Sequence, residues 1–311
     1  MEGTAAVGHR GWLRAVGLMG ATGLSSVVSP LVLIAVPFGF LVLFIPCKRV
    51  LPLVLAAGGV ALVTLWDPTS GLWYLERGWA ILLGGCFLAI SVRWPEKGFL
   101  PRGLGAVWGA FLGMGLLFWV RPGDWAVVDW AVGSRLEFAL GSLTEAIRLT
   151  MGQEKIPEAF EAWAMETVAL HSLIFPALLG LASLSALGLA WWLHQRLSST
   201  PAEGIGALRE FRFNDQLIWV LVFGVVALLF SSGGIERVGT NAVVFMAGLY
   251  ALRGAGVVLF LTGGLTLFGG VILLVGFLLV APVVIMGAVS IGLGDTWFDL
   301  RARRASARPG S

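Results

Sequence analysis

The sequence predicts an all-α protein, a polytopic bundle of membrane-spanning helices. Three observations predict it. Charged residues are only 13% of the chain, against about 25% in soluble domains. Forty-one consecutive residues, Gly254 to Gly294, carry no formal charge. The apolar runs are continuous and rich in Leu, Val, Ala and Gly, not alternating in segments of roughly ten residues as a membrane barrel requires. A soluble domain could not keep such runs dispersed, whereas a bilayer can.

The 43 glycines and 14 tryptophans fit that class. Glycine lets membrane helices approach closely, and tryptophan anchors at the interface. A net charge of +3, with no basic patch interleaved with aromatics, does not point to nucleic-acid binding. The two cysteines, Cys47 and Cys86, imply neither a disulfide framework nor a metal site.

Taken in order, the N-terminus is short and basic, and the apolar stretch Ala15–Cys47 lacks a cleavage site, so it reads as retained. Thirty-three residues are long for one span and tight for two. Ser25, Ser26, Ser29 and Pro30 interrupt them, which allows two short helices, a re-entrant hairpin, or one kinked helix. Leu51–Trp66 is the next span and Asp67–Gly71 a turn, followed by spans at Trp79–Val92 and Gly103–Val120. In the last of these, Gly105, Gly109 and Gly113 share one face, a packing surface for another helix or for a second copy.

Residues 121–167 form an acidic loop holding eight of the chain's 18 acidic residues. Within it, Leu136, Leu140, Leu143 and Ile147 recur at helical spacing, with Arg135, Glu137, Ser142 and Glu145 off that stripe. This predicts an amphipathic helix on the membrane or on the bundle. A second helix, opened by Pro157, runs into the span Val168–Leu193. A polar linker, 194–213, follows. Spans at Gln216–Phe230 (capped by Asn214 or Asp215), Asn241–Leu261 and Val271–Ile291 come next, then a basic tail with Arg301, Arg303, Arg304 and Arg308.

The chain is therefore one membrane domain in three stretches, 15–120, 121–167 and 168–304. It has eight membrane helices, or nine if 15–47 passes twice. Lys and Arg counts do not separate the two parities, because three spans after the linker put the basic tail on the opposite side from it.

Arg253 is the polar residue of most interest. A charge in the middle of an apolar segment either pairs inward and carries function, or snorkels to an interface where the helix breaks at Gly254. Asp215, Asp295 and Glu236 are its candidate partners. Asn241, Tyr250, Arg253 and Asp215 form the candidate polar lining of a ligand site. Asp295 and Asp299, one turn apart, suit a cation or a proton relay. Alternatively, Asp299 pairs with Arg303 on the surface while Trp297 and Phe298 anchor the helix end. His171 lies a turn from Glu166; His9 and His194 stand apart. No nucleophile–base pair, metal set or phosphate loop is present, so no catalytic residue, metal or cofactor is expected and the protein does not read as an enzyme.

Phe211–Leu229 (FRFNDQLIWVLVFGVVALL), Asn241–Phe260 (NAVVFMAGLYALRGAGVVLF) and the closing GLGDTWFDLRARR resemble the YybS-like family of bacterial integral membrane proteins, over about residues 165–304. Where that family commonly has glutamine–glycine after LYAL, this chain has Arg253–Gly254. At fold level the architecture is similar to the substrate-binding membrane components of energy-coupling-factor transporters. The resemblance implies a multi-pass protein of the bacterial cytoplasmic (inner) membrane. Its partners would be the lipid bilayer and a small-molecule solute, bound or transported, with no nucleic acid. The alternative is a non-catalytic scaffold or assembly protein acting through contacts with a membrane protein partner.

Overall fold

Ser26 to Ser29 resolve the first ambiguity. Helix α1 (Gly3–Ser25) ends there, and α2 (Pro30–Phe44) begins at a proline whose missing N–H is no loss in a first turn. Ser26 Oγ turns back onto the Val28 carbonyl, satisfying backbone in the break. The stretch is thus two helices.

The structure, a computed structural model, describes residues 3–45, 47, 50–65, 73–151, 158–198, 204–264 and 267–306. The Asp67–Gly71 turn, Lys48, Arg49, Pro157 and Arg308 lie outside the described residues. Those residues contain eleven α-helices and two single 3-10 turns, with no strand. Five helices are long and apolar enough to cross a membrane, and two shorter apolar ones accompany them. The chain divides into two units, residues 1–205 and 206–311.

In the first unit α1 and α2 are followed by α3 (Val50–Leu65), α4 (Trp73–Arg93), α5 (Phe99–Val120), α6 (Gly123–Met151) and α7 (Glu158–Leu197). The 40-residue α7 is the hub, packing against α1, α2, α5 and α6. Its Ala186, Leu187 and Ala190 are wholly buried. Trp191 meets Phe87 of α4 edge to face at 5.9 Å, and Ser183 accepts a 2.9 Å hydrogen bond from Trp79 Nε1. The glycine face of α5 receives α4. A methyl group placed on Gly105, Gly109 or Gly113 would lie 3.1, 3.1 or 3.0 Å from Ile90, Cys86 or Leu82 respectively. That surface is spent within the chain.

The predicted helix forms as part of α6: Leu136 and Leu140 are half-buried, Glu137, Ser142 and Glu145 are exposed, and so is Leu143, while the buried residues of α6 are Val128, Ala131 and Val132 nearer its start. Arg135, assigned to the polar face, instead reaches Glu76 of α4.

The second unit holds α8 (Ile218–Phe230), α9 (Gly234–Thr262), α10 (Leu267–Phe298) and α11 (Leu300–Ser306). Asn214 Oδ1 accepts the Gln216 amide at 3.0 Å, capping the 3-10 turn that enters α8. Gly263, at φ 74°, closes α9 in the left-handed region that glycine adopts without strain. Gly269 and Gly270 lie inside α10.

The real interruption of α10 is at Val280 (φ −139°, ψ 45°), two residues before Pro282. Proline removes a helix donor and its ring clashes with the preceding turn. A methyl on Gly276 would lie 3.9 Å from Val284, although eight residues of straight helix span about 12 Å. The two limbs therefore fold back on each other. The returning limb runs antiparallel to α9: Gly254 abuts Ala288 and Gly292, and Gly292 abuts Tyr250, backbone against backbone.

Alanine at Gly254 or Gly292 drives a methyl into a facing main chain. The expected cost is about 3 kcal/mol or more, read as a lowered unfolding midpoint or loss of monodisperse protein. Gly287→Ala in the same helix meets nothing within 4 Å and is expected to be neutral or stabilising by up to about 1 kcal/mol.

Candidate functional site

The glycine contact between α9 and α10 brings Arg253 beside Asp295. Both are buried, with side chains 4% and 0% exposed. Arg253 Nε donates to Asp295 Oδ2 at 3.0 Å and Nη2 to the Asp295 carbonyl at 3.3 Å. Nη1 donates to Asp215 Oδ1 at 2.6 Å, across to the start of α8. The guanidinium carbon lies 5.5 Å from the Phe213 ring centroid.

Asp295 has a second cation. Arg301 Nη2 reaches the same Oδ2 at 2.9 Å. Arg301 also donates to the carbonyls of Arg209 and Phe211, each at 3.1 Å. Asp299 lets the chain turn toward this contact: at φ 40° it separates α10 from α11, a conformation short polar side chains tolerate. Its carboxylate accepts from Arg212 at 2.5 Å. The described side-chain partner of Asp299 is thus Arg212, from the opposite end of the unit, and not the expected Arg303. Arg303 lies 5.7 Å from the Phe298 ring, and Trp297 is exposed.

These contacts settle the alternatives at Arg253. Helix α9 continues through Gly254, and the guanidinium pairs inward with Asp295 and Asp215. Tyr250 joins the group, its ring 5.1 Å from Phe213 and wholly buried. Asn241 does not: it lies about 18 Å back along α9 and donates locally to the Arg237 carbonyl. Glu236 is further still. The contacts also place residues 209–213 against residues 299–301, so the second unit starts and ends at one place. The turn at Asp299 and the helix α11 after it bring the chain back to that place.

The described cavities lie elsewhere. One in the first unit, about 140 Å³, is walled almost wholly by carbon from Trp79, Phe111, Phe118, Trp125, Val128 and Phe175. Glu76 borders it, buried and paired with Arg135. Another, in the second unit, is a more polar recess between Arg209, Glu210, Arg304 and the end of α9. His194 is buried against Trp191, with ring centroids 5.7 Å apart, and His171 Nδ1 sits 2.9 Å from the Thr167 carbonyl in its own helix. Among the described residues no group of three or more His, Cys, Asp or Glu could hold a metal ion.

Comparison with family models, with curated proteins and with solved structures finds no match to this chain.

Arg301, Phe213, Glu76 and Arg135 are the site residues that sequence reasoning missed. Arg301 and Phe213 stood inside motifs already singled out, GLGDTWFDLRARR and FRFND. Glu76 and Arg135 lie 59 residues apart, and no local signal couples them.

Asp295→Leu leaves Arg253 and Arg301 buried around a lost acceptor, and is expected to destabilise by about 3–5 kcal/mol. Arg212→Ala breaks an exposed pair and is expected to cost no more than about 1 kcal/mol. Thermal unfolding in detergent checks both. Accessibility labelling of cysteines placed at Ala207 and Arg304 is expected to report the same side of the membrane; opposite sides would contradict the geometry of the second unit.

Proposed function

We propose that this chain is a multi-pass protein of the bacterial cytoplasmic membrane that binds a small apolar solute in the cavity of its first unit. In this reading it serves in the manner of a transporter's substrate-binding component and not as an enzyme. The membrane helices number eight or nine. The bilayer is its surroundings, and the YybS-like resemblance rests on the motifs quoted above.

The cavity carries the reading. Apolar cavities of about 150 Å³ stay dry and accept benzene-sized molecules, and a well-formed apolar pocket with few polar groups is the first candidate for a ligand site. Here the polar groups at hand are internally satisfied, Trp79 by Ser183 and Glu76 by Arg135, so the wall offers dispersion contacts and little else. The Arg253 cluster supports a different role. Its cations are paired, and the helices around it touch through backbone. That favours a clamp that shapes the second unit over a polar lining for a solute.

The scaffold reading draws on the same clamp, because a rigid second unit suits docking to a membrane protein partner. The two separate by filling the cavity. Nothing lies within 4 Å of a methyl placed on Gly115, which borders it. Gly115→Phe is expected to preserve folding and to abolish the stabilisation that benzene or xenon confers on the full chain in detergent. If the unaltered protein shows no such stabilisation, the solute reading fails and the scaffold remains.

A further inference from the structure

The buried part of the Arg253 cluster does not balance its own charge. Arg253, Arg301 and Asp295 have side chains 5% exposed or less. Two guanidiniums around one carboxylate leave one positive charge over. An uncompensated buried charge is unfavourable, so an anion must complete the group.

Asp215 supplies that anion, and its setting is unlike that of Asp295. Its side chain is 62% exposed. It stands on a single 3-10 turn, Asp215–Leu217, outside the body of α8. Arg253 is held without it: Nε and Nη2 are fixed from the Asp295 side, and only Nη1 turns to Asp215. Of the partners of Arg253, Asp215 is the one that faces solvent, so this is the contact at which an outside anion can take over while the rest of the cluster stays shut.

We propose that the Nη1 edge of Arg253 is a binding position for a small carboxylate ligand, which the chain fills with its own Asp215. The site is self-occluded. A ligand carboxylate exchanges for the Asp215 carboxylate at the same guanidinium edge, and no covalent bond is made or broken. Three features fit a carboxylate. The guanidinium is planar and pre-oriented by Asp295, its Nη1 edge offers the directional N–H donors that carboxylates accept, and the occupant already has that chemistry. The Phe213 ring lies 5.5 Å from the guanidinium carbon. The proposal does not depend on the cavity of the first unit.

The test is thermal unfolding of the full chain in detergent, titrated with sodium acetate against sodium chloride at equal ionic strength and against acetamide, the neutral isostere. Asp215→Ala is expected to unfold at a lower midpoint and to regain about 3 °C at an acetate concentration ten times its Kd. The unaltered protein is expected to need at least about tenfold more acetate, because the tethered carboxylate competes. Acetamide is expected to do nothing. Asp215→Ala combined with Arg253→Lys is expected to lose the acetate response. If Asp215→Ala cannot be recovered folded, Asp215→Asn preserves the turn and is read in the same way. A variant that responds to acetate no more than to chloride, or no more than the unaltered protein does, overturns the proposal.

Discussion

One carboxylate holds the second unit together. Asp295 accepts from Arg253 of α9 and Arg301 of α11 through the same oxygen, and its carbonyl takes a further Arg253 donor. An acidic group this buried is tolerable only because two cations and oriented donors compensate it. Its placement in turn depends on glycine. Gly254 and Gly292 let α9 and α10 touch through main chain, and that closeness is what brings the Arg253 stem within reach of Asp295. The bend at Val280 returns α10 to α9, and Asp299 then redirects the chain so that Arg301 can bind the carbonyls of Arg209 and Phe211. Bend, glycine contact, ion pair and closure of the unit form one dependent series.

The first unit solves the packing problem differently. Its hub, α7, buries small and large apolar residues against four neighbours, and α4 seats in the glycine face of α5. Here helices approach through side chains over most of their length, and bulky rings do not tile perfectly. The aromatic residues around Trp79 and Phe118 wall an apolar void, while the recess of the second unit is lined by Arg209, Glu210 and Arg304. The apolar space of the first unit and the charged recess of the second thus differ in chemistry.

Charge placement follows the same division. In the second unit Arg253 and Asp295 are 42 residues apart in sequence, yet both are fully enclosed. In the first, Glu76 is enclosed while Arg135 stays partly open. An intramembrane charge marks function or structure according to whether a partner and an opening coincide. At Arg253 the only opening is the one Asp215 covers.

Composition and periodicity alone determined that this is a helical chain with membrane-length apolar runs, that α5 has a packing face at Gly105, Gly109 and Gly113, that a cap stands at Asn214 or Asp215, and that Arg253 is exceptional. These are local properties: a helix face, a cap and an out-of-place charge are legible within a few residues. The fold-back at Val280, the choice of Asp295 and Asp215 as the partners of Arg253, the isolation of Asn241, the burial of Glu76 with Arg135, and the cavity were decided by tertiary structure. A long apolar run with one proline reads alike whether it is straight or folded back, because hydropathy is blind to direction. Which acid meets a buried arginine depends on helices that touch through glycine, and no spacing along the chain records that contact.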